Sequence, residues 1–238
     1  ENNHLSLQAK LSAGYFLKEV LCILKITRII IYNIRVKVGD MMQHEMCLLA
    51  QLVKKADGLL ITADALQQGI SKDQIYGYIR ENNLEKVGRG IYAAGDAWID
   101  EMYLLQLRFS RAVYSYDTAL YLYDLAEKEP IPLTVTVPAK YNTISLNDTA
   151  KIYYVKESWY NIGICETKSP EGNKIKVYDR ERTICDIIRK RDNMDTAVFN
   201  YALKEYVKSP EKDYSRLLSY AKTFRVESKL RNIMGVLL

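Results

Sequence analysis

Residues 71–93 read SKDQIYGYIRENNLEKVGRGIYA and separate into a helix, a stop and a hairpin. Ser71 followed three positions later by Gln74 is a capping box, in which each side chain satisfies a free amide at the helix start. Ile75 and Ile79 fall on one face of that helix. Lys72, Tyr76 and Arg80, spaced by four, form a stripe on the opposite face. Asn82-Asn83 ends the helix, because asparagine is the best non-glycine residue for a left-handed cap. Leu84–Val87, the turn Gly88-Arg89-Gly90 and Ile91–Ala93 then read as a β-hairpin.

Upstream, Leu48, Leu49, Leu52 and Val53 recur at helical spacing and predict a first helix ending near Asp57-Gly58. Thr62 is expected to cap a short second helix, Ala63–Gln68, stopped by Gly69. Two short helices joined by a glycine turn and followed by a hairpin make a winged helix-turn-helix over residues 42–95. Such a third helix enters the major groove of DNA with free amides at its start, where base edges are distinguishable. Its expected DNA contacts are Ser71, Lys72, Tyr76 and Arg80, with Lys86 and Arg89 on the wing. An ordinary solvated face is the alternative for the stripe, and Asp73 and Glu81 lie beside it. Gly77 costs about 1 kcal/mol in a helix relative to alanine. It marks close approach either to a DNA backbone or to a neighbouring helix.

Residues 1–41 differ in character. The run FLKEVLCILKITRIIIYNIRVKV, residues 16–38, is strongly apolar but broken by Lys18, Glu19, Lys25, Arg28 and Arg35. A membrane span needs about 20 mostly uncharged residues, and no cleavage site of a signal peptide is evident. An amphipathic helix, or a strand over the alternating end Ile30–Val38, fits better. Lys37–Asp40 is encodable by a purine-rich run just before Met41-Met42. The natural start is therefore expected at Met41 or Met42, with residues 1–40 an upstream extension of no assigned role.

The 238 residues are 48% hydrophobic, 26% charged and 11% aromatic, which excludes a disordered or fibrous chain. The net charge of +5 is spread thinly, at +3 over residues 1–41, −1 over 42–98 and +3 over 99–238. Any nucleic-acid contact must then come from placed residues rather than bulk charge. The four cysteines, Cys22, Cys47, Cys165 and Cys185, form no CxxC pair, and the histidines are only His4 and His44. A zinc site and a disulfide framework are both poor fits, and a reducing cytoplasm suits the composition.

From residue 96 onward, Asp96 is expected to cap a helix whose face carries Trp98, Met102, Leu105 and Phe109. A second helix, Tyr116–Leu125, precedes an alternating strand, Leu133–Val137. Lys151–Val155, Ile162–Thr167 and Lys174–Tyr178 are further candidate strands. Helices follow over Glu181–Arg191, Asp195–Val207, a segment opened by Ser209-Pro210, and Ser228–Leu237. Strands followed by helices indicate an α+β domain over 96–238 that ends in a helical bundle. No GxSxG, HExxH, GxxxxGK[ST] or GxGxxG motif occurs, so no catalytic residue, metal or cofactor is expected. Asp117, Asp124, Asp179, Glu181 and Asp186 offer magnesium-binding chemistry in principle, although caps and solvated faces account for them equally simply. Arg180, Arg182, Arg189, Lys190 and Arg191 place cations at both ends of one helix, either to grip phosphate or as a solvated face.

Three motifs, in order, resemble the AbiEi antitoxins of bacterial type IV toxin–antitoxin and abortive-infection systems. They are LEKVGRGIY (84–92), YSYDTAL (114–120) with IPLTVTVP (131–138), and VYDRERTICDI (177–187). The likeness spans roughly residues 45–235, and Asn82-Asn83 departs from the glycine common before the family's wing. It implies an N-terminal domain that represses its own operon at inverted repeats in double-stranded DNA, through Lys72, Tyr76, Arg80, Lys86 and Arg89. It also implies a second domain that neutralises a co-encoded nucleotidyltransferase-like toxin, with or without stable binding. The Arg180–Arg191 helix is the candidate antitoxin surface. Two other functions remain open: a transcription regulator whose second domain senses a ligand or partner, and a carboxylate-dependent nuclease.

Overall fold

The computed structural model of the protein describes residues 43–237 together with Arg28. Apart from Arg28, the extension expected over residues 1–41 lies outside them, as does the natural start expected at Met41 or Met42. The fold is mixed α+β with two separate sheets. It divides into two compact units, and the break falls between Ile99 and Asp100.

In the first unit, helix α1 runs through residues 43–55 and buries Leu49 completely, with Leu48, Leu52 and Val53 partly buried beside it. Strand β1 (Leu59–Ile61) follows; the sequence reading missed it, since three residues are too few for alternation to register. Helix α2 is Thr62–Gln67 and takes Ile61, not Thr62, as its N-cap, with no side-chain cap. The Thr62 amide instead donates to the Gly90 carbonyl at 2.9 Å, which pins the hairpin turn to the start of α2. Gly90 has φ +71, and a Cβ there would sit 2.7 Å from the Thr62 hydroxyl, so only glycine fits.

Helix α3 (Lys72–Glu81) opens with the expected capping box. Gln74 Oε1 accepts from the Ser71 amide at 2.9 Å, and Ser71 Oγ accepts from the Gln74 amide at 3.4 Å. Gln74 Nε2 also donates to Glu45 on α1, tying the two helices together. Asn83 adopts the left-handed conformation, φ 51, as expected. Strands β2 (Glu85–Gly88) and β3 (Ile91–Ala93) form the hairpin, and β1 pairs antiparallel with the other edge of β3. Leu49, Leu60, Ala65, Ile70, Ile75, Tyr78 and Ile79 make the core.

The second unit begins with a correction. Helix α4 is Glu101–Arg108 and is capped by Asp100 rather than Asp96. Asp100 is buried, accepts from the Tyr103 amide at 2.9 Å and also receives Asn173 Nδ2 at 3.0 Å. The cap thus doubles as a tie to the turn at 169–173, which sequence spacing cannot show. Trp98, expected on the buried face, precedes the helix and is 82% exposed.

Strand β4 (Val113–Tyr114) and helix α5 (Tyr116–Leu122) come next. Then follow β5 (Leu133–Pro138), β6 (Ala150–Val155), the short α6 (Glu157–Tyr160), β7 (Ile164–Lys168) and β8 (Lys174–Tyr178). The sheet order is β6-β5-β4-β8-β7. β5 and β6 run parallel, as do β4 and β8, while β4–β5 and β7–β8 are antiparallel. Helix α7 (Arg180–Arg189) and a 3₁₀ turn (Arg191–Asn193) lead to α8 (Thr196–Lys208), α9 (Tyr214–Thr223) and α10 (Glu227–Leu237). Ser209 ends α8 instead of capping α9, and Asp213 takes that role by accepting from the Arg216 amide at 2.9 Å. Ile184, Ile187 and Ile188 of α7 form one core with α5, α8, α9 and α10. No helix among the described residues is long and apolar enough to cross a membrane.

Candidate functional site

Helix α3 presents two chemically distinct faces. Ile75, Tyr78 and Ile79 are buried, while Lys72, Tyr76 and Arg80 are exposed, Tyr76 to 48%. Lys86 on β2 and Arg89 in the hairpin turn are exposed as well. Ser71 is exposed at the N-cap with its oxygen committed to the capping box. None of the side chains of Lys72, Arg80, Lys86 and Arg89 has a salt bridge or hydrogen bond among the described residues. Asp73, Glu81 and Glu85 interrupt the positive field without pairing with it.

A residue absent from the sequence-derived set joins these parts. Tyr92 lies on β3 directly opposite Lys86, and its ring meets that of Tyr76 edge-on, with centroids 6.4 Å apart and planes at 87°. Burial, and then the neighbouring Tyr76, hold the Tyr92 phenol above the ordinary tyrosine value. The available signal was its place between two apolar positions of a hairpin strand, Ile91 and Ala93, which alternation sends to the other face. A Cβ at Gly77 would meet nothing within 4 Å among the described residues, so none of the described helices packs closely against it.

The arginine cluster of the second unit is not the surface that its sequence promised. Arg182 is fully buried. Its Nε donates to Asp186 at 2.8 Å, and its Nη1 donates to the carbonyls of Trp159 and Ile162, each at 2.8 Å. Its guanidinium lies 4.1 Å from the ring centres of both Tyr178 and Phe224. Arg189 Nη2 donates to Asp186 at 2.9 Å and to the Tyr116 hydroxyl at 3.2 Å. Burial pushes the Asp186 carboxyl up from its ordinary value, and the two guanidiniums pull it back.

Arg180 pairs with Glu211, and Arg191 donates to Thr196 Oγ1 at 3.0 Å and lies over the Phe199 ring. Lys190 alone of the five is exposed by residue. The physical reason is that helical periodicity identifies apolar positions, whereas a long arginine is drawn inward by carbonyls some twenty residues away. A continuous cationic antitoxin face built from Arg180, Arg182, Arg189, Lys190 and Arg191 is therefore not what α7 presents.

Asp117, Asp179, Glu181 and Asp186 are also engaged. Asp117 pairs with Lys151 at 3.6 Å, and Asp179 caps α7 through the Arg182 amide at 2.7 Å. Glu181, buried, accepts from the Tyr206 hydroxyl at 3.1 Å and the Asp213 amide at 2.9 Å. No group of three His, Cys, Asp or Glu side chains among the described residues is arranged to hold a metal ion.

The segments 114–120, 131–138 and 177–187 meet in space. Thr136 Oγ1 donates to Ser115 Oγ at 2.8 Å, the Thr134 amide donates to Thr118 Oγ1 at 2.7 Å, and Tyr114 pairs with Val177 in the parallel β4–β8 ladder. Tyr116 holds φ 48 and stacks on Tyr153 with centroids 3.8 Å apart. A bulky residue at positive φ is costly and persists only where its surroundings fix it. Nearby, an open cleft of about 600 Å³ runs between the end of α5 and the start of α8. Its floor includes Ala126, Pro130, Met194 and Val198, and Asp117, Glu127, Lys128, Glu129 and Lys151 line it with charges of both signs. No protein-family model matches the chain, and neither does any curated protein.

Proposed function

We propose that residues 42–95 form a winged helix-turn-helix that binds double-stranded DNA, with α3 in the major groove and the β2–β3 hairpin as the wing. One observation carries this reading: Lys72, Arg80, Lys86 and Arg89 are exposed and unpaired among the described residues, around the Tyr76–Tyr92 contact. In the second unit, by contrast, four of five candidate cations are consumed internally. Exposed cations without partners are what counterion release requires, each neutralising one phosphate.

The chain is further read as an AbiEi-type antitoxin of a type IV toxin–antitoxin, abortive-infection system used in phage defence. It represses its own operon at inverted repeats and counteracts a co-encoded nucleotidyltransferase-like toxin in the cytoplasm. It acts by binding rather than catalysis and needs no cofactor. Support comes from the three motifs in order and from the meeting of segments 114–120, 131–138 and 177–187 within the second unit. With Arg182 buried and Arg180, Arg189 and Arg191 engaged within the unit, the antitoxic surface is sought elsewhere on the second unit. Arg80→Ala and Arg89→Ala should each derepress a reporter carrying the native promoter. The full chain should restore growth to cells expressing the neighbouring toxin. Wild-type repression by both variants overturns the DNA face, and failure of a folded chain to protect overturns the antitoxin role.

The cleft beside α8 favours a second reading, a regulator whose second unit binds a small molecule. Clefts of 300–1,000 Å³ with an apolar floor suit such ligands. A neighbouring gene for a nucleotidyltransferase-like toxin separates the two readings.

A further inference from the structure

Tyr76 stands half-exposed in the middle of the cationic stripe, yet it carries no charge. Its ring is held from one side. Tyr92 sits on β3, the central strand, paired with Leu60 on one edge and Lys86 on the other. It packs against the core that contains Ile75 and Ile79, and it presents its ring to Tyr76 in an edge contact. The helix stripe, the aromatic pair and the wing lysine thus form one continuous surface. An edge-to-face pair restricts the rotamers open to a half-exposed tyrosine, so the Tyr76 ring is pre-set before any ligand arrives.

We propose that Tyr76 reads thymine methyl groups in the major groove and that Tyr92 is the positioning residue that holds its ring for this contact. This rests on the reading of the first unit as a DNA-binding domain. The major groove offers hydrogen-bond donors and acceptors and a single apolar feature, the C5-methyl of thymine. Within the exposed stripe Tyr76 is the side chain with an apolar face, flanked by Lys72 and Arg80 for phosphate. The division of labour follows from the chemistry: the cations set the salt dependence of binding, and the aromatic pair sets a salt-independent preference for thymine.

The full chain is titrated by fluorescence anisotropy with duplexes tiling the DNA upstream of its own gene, and with the same duplexes carrying deoxyuridine in place of thymidine. Each series is repeated at several salt concentrations. Wild type is expected to bind the thymidine duplex about fourfold more tightly than its deoxyuridine counterpart for each methyl group buried. Tyr92→Ala should lose most of that ratio with the salt slope unchanged, and Tyr92→Phe should retain it. Tyr92→Leu, which keeps apolar volume in the core without an aromatic edge, should behave as Tyr92→Ala and guards against a folding defect. Full discrimination by Tyr92→Ala and Tyr92→Leu would refute the positioning role. Salt-dependent binding by wild type without thymidine preference refutes the methyl contact and leaves the DNA reading standing. Absence of binding to every duplex refutes both.

Discussion

Replacing Arg182 with leucine should cost the second unit about 3–5 kcal/mol, the usual effect of breaking a buried ion pair from one side. Three contacts of its side chain are lost together: the 2.8 Å bond to Asp186 and the two 2.8 Å bonds to the carbonyls of Trp159 and Ile162. Each buried carbonyl left without a donor costs about 1–3 kcal/mol, while Asp186 keeps Arg189 at 2.9 Å as a counter-charge. Leucine recovers part of the loss between the Tyr178 and Phe224 rings. Against a native stability of about 5–15 kcal/mol, the loss is a large fraction of the whole. Guanidinium unfolding followed by far-UV circular dichroism measures it. Arg182→Leu combined with Asp186→Leu should fall short of the sum of the single losses by about 1–3 kcal/mol, because each single change already breaks the contact between the two. A loss under about 1 kcal/mol for Arg182→Leu, typical of a surface site, or an additive cycle, would refute the buried brace.

Three further outcomes are expected. Ser71→Ala removes the cap of α3 and should lower stability by about 1 kcal/mol, read from the denaturation midpoint; no change would mean that the box seen at 2.9 and 3.4 Å carries no energy. Gly77→Ala has open space for its methyl and should stabilise the fold by about 1 kcal/mol, while weakening DNA binding if a phosphate backbone passes close to that position; unchanged affinity would refute the close approach. Burial pushes the Cys185 thiol up to about 12, and burial together with Asp179 pushes the Tyr220 phenol up to about 12. Both folded values exceed the unfolded ones, so stability should be intact below about pH 8.5 and fall as pH rises towards 12. Denaturation midpoints at pH 8, 10 and 11 test this, and a midpoint that holds or rises would contradict it.

The first unit was largely legible because its signals are local. The capping box at Ser71, the left-handed Asn83 and the hairpin around Arg89 each depend on residues within four positions. Where a long-range partner intervened, the reading failed. Thr62 looked like a cap but gives its amide to Gly90 across the unit. Asp96 and Asp100 are equivalent by spacing, and only the second reaches the turn at 169–173. The cations of α7 are the sharpest case, since Arg182 and Arg191 look alike in sequence and only Arg182 is fully buried. Tyr92 escaped notice for the same reason: its importance lies in a ring on another element.

The account stands on the four unpaired cations, and their salt dependence tests it most directly. Binding of the full chain to its own promoter duplex is measured across a salt series, for wild type and for the variant with Lys72, Arg80, Lys86 and Arg89 all changed to alanine. Each lost phosphate contact lowers the log–log slope by about 0.9, so the variant's slope should be shallower by about three to four. Its circular dichroism and unfolding midpoint should match wild type, since none of the four side chains is buried. An unchanged slope in a folded variant would contradict the assignment of this face to DNA.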